Sequence, residues 1–163
     1  MKAKLAKLSS VFMALAMSQS TMAETFKFNT DVSDKSDTLV VFKNDTKSTD
    51  FAKFDKQSEG QLTRALNANQ FKGSYNTFVE VLAPNKLSYN RVLIVGTGDK
   101  ALTESELTKL GGNIAAQLKG KHISDVSVAA EDFSADQASQ LAHGINLRSY
   151  NFSKSSLATS IST

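Results

Sequence analysis

Arg91-Val92-Leu93-Ile94-Val95-Gly96-Thr97-Gly98 decides the fold. Five residues, four of them apolar and three of those β-branched, run without a break and stop at glycine. A strand that is apolar at every position has to be covered on both faces. Thr38-Leu39-Val40-Val41-Phe42 reads the same way. Two such strands need helices above and below them. Outward from this pair, Thr25 to Asn29 reads as an edge strand. Tyr75 to Leu82 reads as a strand ended by Ala83-Pro84-Asn85, and Asp125 to Ala130 places Val126 and Val128 on one face. The short turn after Leu82 makes the Tyr75–Leu82 and Arg91–Val95 strands antiparallel neighbours. The next crossover, Arg91–Val95 to helix to Asp125–Ala130, reads as a right-handed βαβ unit.

Three helix starts carry a capping-box pattern, in which a Ser or Thr is followed three residues later by Gln or Glu. They are Ser58 to Gln61, Thr103 to Glu106 and Ser134 to Gln137. Apolar stripes follow at helical spacing: Leu62, Ala65 and Leu66; Leu107, Leu110, Ile114 and Leu118; Ala138, Leu141, Ala142 and Ile145. The order is β-β-α-β-β-α-β-α. The fold class is α/β, a three-layer sandwich with a mixed sheet. Gly111-Gly112 falls inside the second of these helices, where each glycine costs about 1 kcal/mol against alanine. Close approach of that helix to the sheet or to another chain accounts for the pair.

The chain of 163 residues is one domain long. With 21% charged and 40% hydrophobic residues it can bury a core. It has no cysteine, which excludes disulfides, thiolate nucleophiles and cysteine-bound metal. The formal charge of +3 includes Lys2, Lys4 and Lys7. They precede an apolar run, Val11 to Met17, and Ser18-Gln19-Ser20-Thr21-Met22-Ala23. This reads as a signal peptide over residues 1–23, cut after Ala23, and predicts a periplasmic or secreted protein. Without these three lysines, the rest of the chain balances its 16 acidic residues at net zero. A neutral domain has no bulk electrostatic reason to bind nucleic acid, and after cleavage nothing in it holds a membrane. The last nine residues, 155–163, are uncharged and rich in Ser and Thr, and read as a disordered tail.

Gly96-Thr97-Gly98 stands where a phosphate-cradling loop can sit, between a buried strand and a helix. Position 101 is Ala101 rather than a third glycine, and the helix starts late, so a tight strand exit is the simpler reading. His122 lies in a Lys-Gly-Lys-His turn and His143 lies beside an apolar stripe, with Ser139, Gln140, Asn146 and Leu147 at its helical neighbour positions. Neither has a metal-ligand spacing. Asp31, Asp34, Asp37, Asp45 and Asp50 flank the Leu39–Phe42 strand without the alternation of a calcium loop, and solvated loops explain them. No nucleophile, base and oxyanion donor assemble. Catalytic, cofactor-binding and metal residues are therefore all given as none.

Several segments, in order, carry a resemblance. Asn69-Gln70-Phe71-Lys72-Gly73-Ser74 precedes one strand, and Asn90-Arg91-Val92-Leu93-Ile94-Val95-Gly96-Thr97-Gly98 forms the next. Leu102-Thr103 opens a helix, which continues as Leu110-Gly111-Gly112-Asn113-Ile114-Ala115-Ala116. Gly144 and Ser149-Tyr150-Asn151-Phe152-Ser153-Lys154 close the domain. This series resembles the N-terminal domain of the leucyl aminopeptidase (cytosol aminopeptidase) metallopeptidases, over residues 24–154. The resemblance implies a mixed-sheet domain similar to macro domains that helps to build a hexamer and frames access to the catalytic centre. It implies two divalent metals in a separate catalytic domain that this chain lacks, so no catalytic residue is carried over. The expected partners are that catalytic domain or further copies of the chain. The expectation is a truncated, non-catalytic product of an exported enzyme. The alternative is a stand-alone macro-like module binding a nucleotide or ADP-ribose near Gly96–Asp99.

Overall fold

The computed structural model describes residues 27–29, 32, 36–44 and 48–159, with side chains from 150 onward and at 27–29 left aside. Residues 1–23, Asp31, Asp34, Asp45 and the end of the chain from 160 lie outside the described residues. Five strands form one sheet: β1 (Lys27–Asn29), β2 (Thr38–Lys43), β3 (Phe78–Leu82), β4 (Arg91–Gly96) and β5 (Asp125–Val128). Four helices surround it: α1 (Thr49–Gln57), α2 (Gln61–Ala68), α3 (Glu104–Leu118) and α4 (Ala135–Thr159).

The sheet order is β1-β5-β2-β4-β3. β1, β5, β2 and β4 are mutually parallel, and β3 closes the far edge antiparallel to β4. The two unbroken apolar runs lie side by side at the centre, Leu39 opposite Val92 and Val41 opposite Ile94. Their side chains alternate between two cores. Val40, Phe42, Leu93 and Val95 face α3 and α4, joined by Leu110, Ile114 and Leu141. Leu39, Val41, Val92 and Ile94 face Phe51, Phe54, Leu62 and Leu66 of α1 and α2. Each such aliphatic side chain, wholly buried, contributes about 2 kcal/mol. β4 and β5 are parallel as a βαβ unit requires, but β2 lies between them.

Several expectations need correction. Ser58-Glu59-Gly60-Gln61 is no capping box. Ser58 ends α1, and its hydroxyl donates to the Asp55 carbonyl at 3.1 Å. Glu59 and Gly60 then take left-handed φ of 56° and 74°, which turns the chain directly into α2. The sequence order therefore lacked α1, whose Phe51 and Phe54 are buried three residues apart. β3 begins at Phe78 rather than Tyr75, because Asn76 adopts a left-handed φ of 62° and breaks the extension. β5 ends at Val128 rather than Ala130. Of the Thr25–Asn29 run, Lys27–Asn29 is strand. The tail expected over 155–163 is helical through Thr159, as the end of α4. No glycine or proline follows Gly144 to stop that helix, and serine and threonine are tolerated within one.

The Gly111 backbone approaches α4, not the sheet. A Cβ at Gly111 would overlap the Leu141 carbonyl, and one at Gly144 would overlap the Thr108 carbonyl. Two glycines on facing helices thus let the α3 and α4 backbones touch. Gly144 lies inside α4 rather than at its end.

Candidate functional site

The three crossover helices that follow parallel strands, α1 after β2, α3 after β4 and α4 after β5, all begin at the carboxyl end of the sheet. Ligands of open α/β sheets bind there. A cleft of about 220 Å³ occupies this end. Phe42 and Phe133 meet edge to face in its lining, with ring centroids 4.7 Å apart. Asn44, Ser48, Thr97, Gly98, Asp99, Lys100, Asp132 and Gln137 supply its polar lining.

Gly96-Thr97-Gly98 is a tight strand exit. The Gly96 N–H donates to the Thr77 carbonyl at 2.8 Å, that of Thr97 to Lys43 at 3.2 Å, and that of Gly98 to Gly73 at 2.8 Å. Gly98 has φ of 72°, and a Cβ at Gly96 would overlap the Ser74 carbonyl. The loop uses glycine to pass the Gly73–Thr77 segment; the amides of Gly96 and Gly98 are spent on that packing and the amide of Thr97 on Lys43.

The helix N-termini are likewise occupied from within the chain. Thr103 and Glu106 form a complete capping box on α3, and those bonds to Thr103 hold the Glu106 carboxyl below its ordinary pKa. Ser134 and Gln137 exchange bonds of 2.9 and 3.3 Å at the start of α4. On α1, Ser48 makes no cap. The Asp132 carboxylate, from the loop before α4, accepts the Thr49 N–H at 2.8 Å instead. Asp50 returns the contact, accepting the Glu131 N–H at 3.0 Å.

Asp50 is not a solvated loop residue, as the sequence suggested. It is 2% exposed, and its second oxygen has no partner. Burial raises its pKa, and the nearby charges of Glu131 and Asp132 push the same way. Asp37 lies at the opposite end of the sheet. It accepts the Ser124 N–H at 3.1 Å and is also bonded by the Ser124 hydroxyl and the Asn90 amide. The bonds from Ser124 lower its pKa. His122 and His143 are both exposed, and neither lines the cleft. Among the described residues, no group of three or more His, Cys, Asp or Glu could hold a metal ion. Sequence reasoning missed Asp132 as a helix cap because the helix it caps lies more than eighty residues away.

A mixed α/β sandwich with a self-capped cleft at the carboxyl end of its parallel strands is the class of domain defined here. Residues 38–156 match the sequence model of the cytosol aminopeptidase family, N-terminal domain, and the chain belongs to this metallopeptidase family. It is similar to a probable cytosol aminopeptidase 1 of Shewanella oneidensis, with 41% identity over 136 residues that cover 81% of this chain and 27% of the relative. It is also similar to a probable cytosol aminopeptidase of Nitrobacter winogradskyi, 41% identical over 60% of this chain and 20% of the relative. Among solved structures, a mutant of tomato leucine aminopeptidase shares the fold at TM-score 0.58 and 22% identity, over 77% of this chain and 28% of that one. The chain thus spans about a quarter of the length of the proteins it matches. These relatives are named cytosol aminopeptidases. Those names correct the expectation of a periplasmic or secreted protein, which rested on residues 1–23 alone.

Proposed function

We propose that the domain, expected over residues 24–154, is the assembly and access domain of a leucyl aminopeptidase-like metallopeptidase and does no chemistry of its own. It works joined to a catalytic domain, or through association of several copies. One observation carries this reading: the family match runs through the sandwich from β2 into α4, yet the alignment of this chain with the Shewanella relative covers 27% of that protein. The two divalent metals implied by the resemblance belong to the remaining part of such an enzyme. The described residues here do not fit them, since no cluster of ligands is present among them.

Two measurements test the reading. The purified chain, supplied with manganese or zinc, is expected to release no leucine from a leucyl amide; metal-dependent release would overturn it. Light scattering after size exclusion is expected to show the chain associating with itself or with the catalytic domain of the Shewanella relative. A chain that stays monomeric and ignores that domain would overturn the assembly role.

A further inference from the structure

We infer that the outer edge of β3 is a homotypic seam, where two copies of this chain pair their sheets antiparallel around Glu80. This rests on the assembly reading above and names its partner, a second copy of the chain. Among the described residues, β3 is the last strand of the sheet on its side. The Gly96 N–H donates to the Thr77 carbonyl and the Ala83 N–H to the Asn90 carbonyl. With the register of Phe78 on Val95 and Leu82 on Arg91, this fixes residues 77, 79, 81 and 83 as those bonded to β4. In an antiparallel ladder the alternate residues face away. The backbone N–H and C=O of Phe78, Glu80 and Leu82 therefore line the outer edge, a template for strand addition.

The strand matches itself. Phe78-Val79-Glu80-Val81-Leu82 keeps one pattern in either direction, an acidic residue between two valines with a large apolar residue, Phe or Leu, at each end. A two-fold axis at Glu80 would set Phe78 opposite Leu82 of the second copy and Val79 opposite Val81, as an isologous interface requires. Val79 and Val81 lie on the α2 side and Phe78 and Leu82 on the other, so both faces of the joined sheet match. Leu82 is 61% exposed, whereas its strand neighbour Val81 is buried. Pairing would cover Leu82 with the half-buried Phe78 of the second copy.

A charge in mid-edge ordinarily guards a strand against pairing. Here Glu80 is already paired within its own protomer, to Arg91 and, at 2.9 Å, to Lys121. The two-fold axis would bring two carboxylates together among four cations, so each carboxylate gains cations along with its like-charged neighbour. The guard is thereby turned into a complementary charge cluster at the axis.

The test uses the full chain and two exposed leucines. Leu82→Asp places a charge opposite Phe78 of the second copy, and Leu147→Asp places one on the exposed side of α4. Both leucines are exposed, so both variants should fold, which circular dichroism checks. Sedimentation equilibrium is expected to show a wild-type dimer that Leu82→Asp weakens about tenfold or more and Leu147→Asp leaves intact. A dimer insensitive to Leu82→Asp overturns the seam while leaving the assembly reading in place. So does a monomeric wild type that still binds the catalytic domain of the Shewanella relative. A monomer that binds neither overturns both.

Discussion

Gly111 and Gly112 are adjacent on α3, yet a methyl group should act oppositely at the two. At Gly111 it would strike the Leu141 carbonyl of α4, and at Gly144 the Thr108 carbonyl of α3; both obstacles are backbone and cannot swing aside. Gly111→Ala and Gly144→Ala are each expected to cost about 3 kcal/mol, the upper range for overpacking. At Gly112 the nearest atom to a new Cβ is 3.6 Å away, an ordinary contact. Gly112→Ala should therefore keep most of the helix-propensity gain of about 1 kcal/mol. Urea unfolding of the three variants checks the order. The sequence showed that the pair needed a close neighbour, but not which glycine met it or that the neighbour was α4. Asp50 is a second residue whose burial hid behind its type. Its raised folded-state pKa means that the fold holds this proton more tightly than the unfolded chain does. Its unfavourable effect is thus present above the folded-state pKa and fades as pH falls toward the usual carboxylate value of 3.8. Asp50→Asn is expected to raise stability at neutral pH by about 1 kcal/mol, the scale of a poorly satisfied buried group. That gain should vanish near the usual carboxylate value. Asp37 has the opposite sign: its lowered pKa gives stability above the usual carboxylate range that is lost as acid protonates it. Thermal melts of Asp50→Asn across pH separate the two, since Asp37 titrates equally in variant and wild type.

The helices divide by how their N-termini are satisfied, and that division sets which of them the sequence revealed. On one layer α3 and α4 carry their own boxes, Thr103 with Glu106 and Ser134 with Gln137, and both starts are legible three residues apart. On the other layer α1 and α2 have no side-chain cap of their own. Asp132 takes the Thr49 N–H of α1. Asp55, in the last turn of α1, takes the Thr63 N–H of α2 at 2.9 Å and its hydroxyl at 2.6 Å. A cap brought by tertiary folding leaves no local signature, so the Ser58–Gln61 pattern drew attention to a box that does not form. The central strands had no such problem, because burial on both faces is written in their composition. A functional consequence follows for α1. Asp132→Ala should cost about 1 kcal/mol, as loss of an N-cap does, and speed amide exchange in the first turn of α1. Ser48→Ala should cost less, although Ser48 occupies the N-cap position, since its hydroxyl bonds to Asn44 rather than to the helix. Hydrogen exchange that ranks the two variants in reverse would contradict the cap from Asp132.

Across the whole molecule, these caps decide what the carboxyl end of the sheet can accept. Phosphate binding in an open α/β fold relies on free amides at a helix N-terminus and on a glycine loop that turns its N–H groups outward. Here α1, α3 and α4 all point their N-termini toward that end, but Asp132, Glu106 and Gln137 already hold Thr49, Thr103 and Ser134. The amides of Gly96, Thr97 and Gly98 donate to Thr77, Lys43 and Gly73. Among the described residues lining the cleft, Lys100 is the one basic group, against Asp99 and Asp132. An incoming phosphate would have to displace the Asp132 and Glu106 carboxylates, which are held by charge-assisted bonds, and the neutral Gln137 amide, in a cleft whose charge repels it. Calorimetry with ADP-ribose at millimolar concentration is therefore expected to give no binding heat. Heat that Lys100→Ala abolishes would show that the cleft opens to anions in spite of its caps. In the expected case the carboxyl end acts as a closed structural face, which leaves the sheet edge and the outer helix surfaces to carry whatever contacts the domain makes.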